Sequence, residues 1–134
     1  MSEKTLSGTC LCGEVAWEMD GPFDFFGMCQ CSLCRKVTGT AFASNLFCGT
    51  DKFRWLNGED HRILYQMPAP KKFGNAVCKT CGSRVPKVLS AGDRVLMPLG
   101  STMEDPGLEP TLVCLEDHTE WFTLLTDSAG DAQP

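Results

Sequence analysis

Histidine is scarce in this chain, occurring only at His61 and His118, and both read as surface or capping residues. Ser32, Thr38 and Ser101 therefore have no recognisable base partner, which leaves no case for a serine nucleophile. Basic residues are also in deficit, 12 Lys and Arg against 17 Asp and Glu, for a formal net charge of −5 and a pI near 4.9. That balance lacks the basic face a nucleic-acid partner requires. No apolar run approaches the ~20 residues that span a bilayer. The opening segment from Met1 to Cys10 holds no apolar stretch of signal-peptide type. Repeats and low-complexity blocks are missing too. The expectation is a soluble cytoplasmic protein with reduced thiols, without nucleic-acid or membrane partners.

Cysteine is the exception to this sparseness. Nine occur in 134 residues. The number is odd, so complete disulfide pairing is impossible, and the density falls below that of a secreted disulfide scaffold. In a reducing compartment, clustered thiols are more often metal ligands or redox catalysts than bridges. The length supports one domain over residues 1–134. A chain of this size buries roughly 68% of its unfolded surface and needs no staples to fold.

The body reads as short strands broken by turn residues, 13 glycines and 8 prolines. Val15, Trp17 and Met19 alternate onto one face. Phe42, Ser44, Leu46 and Cys48 form a mixed face. Phe53 and Trp55 precede Asn57-Gly58, a hairpin-type pair, and Ile63, Tyr65 and Met67 follow it. Val95, Met97 and Leu99 make a further period-two run, as do Thr111 to Leu115 and Trp121 to Leu125. The three tryptophans, Trp17, Trp55 and Trp121, are read as core. One short helix is expected from Ser32, as N-cap, to Gly39. Residues from Asp127 to Pro134 read as a frayed tail. The fold class expected is mostly β, with one or two short helices.

Seven cysteines fall into three tight groups: Cys10 and Cys12; Cys29, Cys31 and Cys34; Cys78 and Cys81. Thiolates sharing one zinc must converge, each ~2.3 Å from the metal, and Gly13 and Gly82 let the chain fold round it. Four closed ligands make a structural site, and three with an open position make a catalytic one. The two outer pairs have matching form. Joining them closes a loop at roughly 4 kcal/mol, far below the apparent ~10–16 kcal/mol of structural zinc binding. The middle trio supplies three thiolates locally. Alternatives remain for the trio: a second structural metal completed by Cys48 or a histidine, or an iron–sulfur cluster. Cys48 and Cys114 read as small buried hydrophobes.

The order Gly8-x-Cys10-x-Cys12-Gly13-x-Val15, Cys29-x-Cys31-x-x-Cys34-Arg35-Lys36-x-x-Gly39 and Cys78-x-x-Cys81-Gly82-Ser83 resembles the glutathione-dependent formaldehyde-activating enzyme family, to which centromere protein V is related. The segment Asp117-His118-x-x-Trp121-Phe122 is similar to that family's ending. One position departs: many members carry histidine where Gln30 stands.

The resemblance implies a β-tent fold, shared with a Rab-binding zinc chaperone and methionine sulfoxide reductase. It implies a structural zinc on Cys10, Cys12, Cys78 and Cys81 and a catalytic zinc on Cys29, Cys31 and Cys34, two per chain. The activity implied is that of a carbon–sulfur lyase, an S-(hydroxymethyl)glutathione synthase adding glutathione or a related thiol to formaldehyde or a similar small electrophile. A non-catalytic zinc-scaffolded binding module is the alternative. Arg35, Lys36, Lys71 and Lys72 are candidates to meet the glutathione carboxylates, against the plainer reading of Lys71 and Lys72 as solvated. An acidic chain needs such a local cationic patch beside the trio.

Overall fold

The structure, a computed structural model, describes residues 4–122; the tail expected from Asp127 lies outside them. The described residues are mostly β, as expected, in three sheets. The first contains β1 (Thr5–Thr9), β2 (Ala16–Asp20) and β5 (Phe53–Asn57), all antiparallel. The second runs β10 (Thr111–Val113), β3 (Phe25–Cys29), β4 (Ala43–Gly49), β9 (Arg94–Pro98) and β8 (Lys87–Val88). In it only the β10–β3 pairing is parallel. The third is the hairpin of β6 (Arg62–Gln66) and β7 (Gly74–Cys78).

The core lies where the sheets meet. Leu6, Trp17 and Met19 come from the first sheet, Val15 from the bend just before β2, Leu46, Cys48 and Met97 from the second sheet, and Ala76 and Cys78 from β7. Their alternation along each strand decides which face turns inward. Each fully buried large side chain contributes about 1.5–3 kcal/mol. Trp17 sets the tightest constraint, because a Cβ at Gly8 would stand 2.6 Å from its indole ring. Trp55 packs edge-on to Trp17, with ring centroids 6.4 Å apart.

The mixed pattern of β4 has a simple cause. Its Leu46 and Cys48 enter the core while Ala43 and Asn45 are buried on the opposite face. A central strand covered on both sides loses the clean alternation of a half-exposed one.

Three expectations are corrected here. Asn57-Gly58 does not join a hairpin, because β5 pairs with β2 while β6 pairs with β7. Instead Asn57 Nδ2 donates to Glu14 O at 2.8 Å. Gly58, at φ 82°, passes so close to Glu14 that a side chain there would collide with its carbonyl. The pair locks the chain onto the β1–β2 connection and sends it to another sheet. Trp121 and Phe122 lie in a helical turn, not a strand, and the rest of the run to Leu125 lies outside the described residues. Trp121 is also not core, at 55% exposed.

The helix α1 (Ser32–Thr38) follows β3 closely and ends at Gly39 in the left-handed region, φ 71°. Its N-cap is Cys31 and not Ser32, since the Cys31 sulfur accepts the Cys34 N–H at 3.3 Å. A capping side chain normally offers oxygen to that donor. Here a candidate metal ligand takes the place.

Candidate metal centres

Two knuckles of like construction build the first centre. Cys10 follows β1 and Cys78 ends β7, and each has its carbonyl bonded by a glycine N–H, Gly13 at 3.1 Å and Gly82 at 3.0 Å. Both glycines have positive φ, 86° and 76°, a conformation other residues enter only with strain. The Val15 N–H donates to Cys10 Sγ at 3.3 Å, and the Thr80 N–H to Cys78 Sγ at 3.4 Å. Ser83 Oγ ties the knuckles together by accepting the Leu11 N–H at 2.9 Å.

The sulfurs of Cys10, Cys12, Cys78 and Cys81 all lie within 4.8 Å of one another. Cys10 and Cys12 are 3.6 Å apart, and Cys12 and Cys78 are 3.8 Å apart. Sulfurs on a tetrahedral zinc, each at ~2.3 Å, stand about 3.8 Å from one another. The set therefore fits that ion in both chemistry and spacing. Its titration shows why a cation belongs there. The Ser83 hydroxyl and N–H pull the Cys81 thiol down to about 5. Although the Glu14 N–H favours its thiolate, desolvation and the crowding thiols of Cys10, Cys81 and Cys78 push Cys12 up to about 12. Four thiolates cannot share this space without a compensating charge. His61 forms an outer contact, its Nε2 2.7 Å from Thr80 Oγ1 and 3.2 Å from Glu14 Oε1.

The second centre is local. Cys29 ends β3, Cys31 caps α1 and Cys34 lies one turn along it, buried. Their sulfurs also lie within 4.8 Å of one another. Burial opposes ionisation of Cys31, but the Cys34 N–H and the Cys29 and Cys34 thiols outweigh it and lower its pKa. Burial, then the hydrogen bond and charge of Cys29, push Cys34 up. The trio thus pairs one thiol favoured towards ionisation with one disfavoured. Gln30, between the first two cysteines of the trio, is 3% exposed. Its N–H donates to Val113 O at 2.9 Å and its carbonyl accepts from Arg35 Nε at 3.2 Å.

Two residues near the trio were not singled out for it by spacing. Cys114 is not a core hydrophobe. It is half-buried, adopts the left-handed conformation at φ 59°, and follows Val113, the Cα partner of Cys29. Desolvation and the adjoining Cys29 push its thiol up to about 11. Cys48, by contrast, is fully buried in the core, as expected. The other residue is Arg84, directly after the second knuckle. Its Nε donates to Asn75 Oδ1 at 2.8 Å and one Nη to Asn45 Oδ1 at 2.9 Å. Burial lowers its pKa, and the Cys34 and Cys29 charges act the other way. Of the cations named from sequence, Arg35 bonds the Gln30 carbonyl and Lys72 lines a small cavity that Arg84 also lines. Lys36 and Lys71 are exposed.

Residues 5–118 match the model of the glutathione-dependent formaldehyde-activating enzyme family, and the chain belongs to that family. A Halomonas elongata protein whose name assigns it to glutathione-dependent formaldehyde activation is 27% identical over 131 residues, 89% of this chain and 80% of that protein. A crystal structure of a Rhodobacter sphaeroides protein superposes with a TM-score of 0.60 at 23% identity, covering 78% of this chain and 97% of the other. That likeness concerns the fold alone.

Proposed function

We propose that this chain is a zinc-dependent carbon–sulfur lyase that joins a thiol such as glutathione to formaldehyde or a similar small electrophile. The carrying observation is the contrast in ligand number. One centre has four convergent thiols and the other three, with no fourth His, Cys, Asp or Glu in the convergent set among the described residues. Three protein ligands with an open position is the catalytic arrangement, and four is the structural one. Cys10, Cys12, Cys78 and Cys81 would hold the structural zinc, and Cys29, Cys31 and Cys34 the catalytic one. When bound to the trio, the metal supplies the charge that keeps an incoming thiol deprotonated near neutral pH.

The reaction is redox-neutral. The thiol gives up its proton, a sulfur–carbon bond forms at the aldehyde carbon, the carbonyl π bond breaks with its electron pair passing to oxygen, and that oxygen takes a proton. The trio's task is to position the sulfur at one place beside the aldehyde and so remove the entropic part of the encounter. Cys29 and Cys31 are partly exposed, which gives that place access to solvent. Cys34 is buried, so the solvent-facing part of the site is the one that Cys29 and Cys31 present. The adduct also forms without catalysis, so the test must compare rates. Exchange NMR of the formaldehyde–glutathione equilibrium should show faster exchange with zinc-loaded protein, lost in Cys31→Ser. Equal rates with and without protein would refute this activity and favour the zinc-scaffolded binding module.

A further inference from the structure

We propose that Arg84 anchors a carboxylate of the thiol substrate, so that the trio serves thiols that carry an acid group. The proposal rests on the reading above that the trio receives a thiol. It begins from an imbalance. Arg84 is half-buried, and both of its hydrogen-bonded side-chain partners, Asn75 and Asn45, are neutral amides. No Asp or Glu forms an ion pair with it among the described residues, whereas Arg54 and Arg94 both find carboxylates. A sheltered guanidinium held in a fixed orientation with spare donors is suited to a planar anion.

Sheet geometry places Arg84 beside the trio. Cys29 is the cross-strand partner of Ala43. Ala43 and Asn45 are two apart on β4, so Cys29, Ala43 and Asn45 share one face. Diagonal neighbours on such a face stand roughly 7–8 Å apart. Arg84, bonded to Asn45, is thereby brought to the sheet face that carries Cys29.

The space around Arg84 fits this occupant. It lines an open cavity of about 380 Å³ with Val37 and Thr38 of α1, Thr40, Ala43, Ser44 and Ser101 among its walls. It also lines a smaller one, about 120 Å³, that includes Lys72, Lys87 and Asn75. Neither lining contains an acidic side chain, although the chain as a whole carries −5. The contrast is a cavity on the Met103–Pro110 loop, which contains Glu104, Asp105 and Glu109. Anions are repelled there and received at Arg84. Neutralising the trio's own thiolates would also use the cation, but it would not require an open cavity at its side.

The test is titration calorimetry with S-methylglutathione, which cannot react, and with its dimethyl ester. Zinc-loaded wild-type protein should bind the acid at least tenfold more tightly than the ester. Arg84→Gln should abolish that difference at unchanged zinc content, and Arg84→Lys should restore part of it. Equal binding of acid and ester to wild type would overturn the proposal even if Arg84→Gln fails to fold. A preference that persists in Arg84→Gln would overturn it as well. If discrimination between acid and ester is present but formaldehyde exchange is not accelerated, the lyase reading fails and the anchor stands.

Discussion

The two cysteine centres use one ligand chemistry on opposite plans. The four-cysteine centre draws its ligands from two knuckles on different sheets, with Cys12 and Cys78 separated by 66 positions. The trio draws all of its ligands from the junction of β3 and α1. A cation in the first centre joins parts of the fold that backbone hydrogen bonds connect only sparsely. A cation in the second joins neighbours that the chain already holds together. On the proposed reading the stability of the molecule would depend on the first, which would leave the second free to exchange ligands.

The largest effect should separate them. Cys78→Ser breaks the cross-sheet centre and leaves a hydroxyl in the core, where Cys78 is 1% exposed. Structural zinc contributes an apparent ~10 kcal/mol or more to folding, so this variant should lose cooperative thermal unfolding. Cys31→Ser should keep a cooperative transition, since serine can still cap α1, and should contain one zinc instead of two by elemental analysis. If both variants unfold alike, the division of labour between the centres is wrong.

Gly8→Ala comes next. The added methyl meets the buried Trp17 ring at 2.6 Å, and overpacking of this kind costs about 1–3 kcal/mol. Because β1 leads directly into Cys10, the variant should release metal from the four-cysteine centre at lower chelator concentration while leaving release from the trio unchanged. Equal sensitivity at both centres, followed with a chromogenic chelator, would show that they are mechanically coupled.

The smallest effect is a control remote from both. Arg54 bonds Glu18 and Asp20 on the first sheet, and its hydrogen bonds hold the Asp20 carboxyl below its usual value. A depressed carboxylate stabilises the fold above its unfolded pKa, and that contribution disappears as pH falls through the folded one. Arg54→Ala should therefore be slightly less stable than wild type at neutral pH, with the gap closing below about pH 4. Denaturant melts across that range should show it, without any change in zinc content at neutral pH.

What could be read in advance follows from the range of each interaction. The cysteine groups and α1 are local: ligands a few residues apart, a cap and a terminal glycine. Their positions were legible, apart from the cap falling one residue early on Cys31. Asn57-Gly58 signalled a turn correctly but not its partner, because Glu14 lies 43 positions away from Asn57. Arg84 looked ordinary after the second knuckle, and only the register of β3 on β4 brings it to Cys29. Cys114 was hidden for the same reason, since β10 joins β3 in parallel from a distant part of the chain. Trp121 misled because alternation over a short window cannot tell a strand from the start of a helical turn.

The knuckle pair also gives assembly a clock. The Cys29, Cys31 and Cys34 ligands lie within six residues, so the trio is synthesised as a unit well before the second knuckle. The cross-sheet centre cannot form until Cys78 and Cys81 have been synthesised and have returned to Cys10 and Cys12, and long-range closure of that kind is slow. On the proposed reading, zinc supplied early would reach the trio first, and the metal of the four-cysteine centre would be the one that completes the fold.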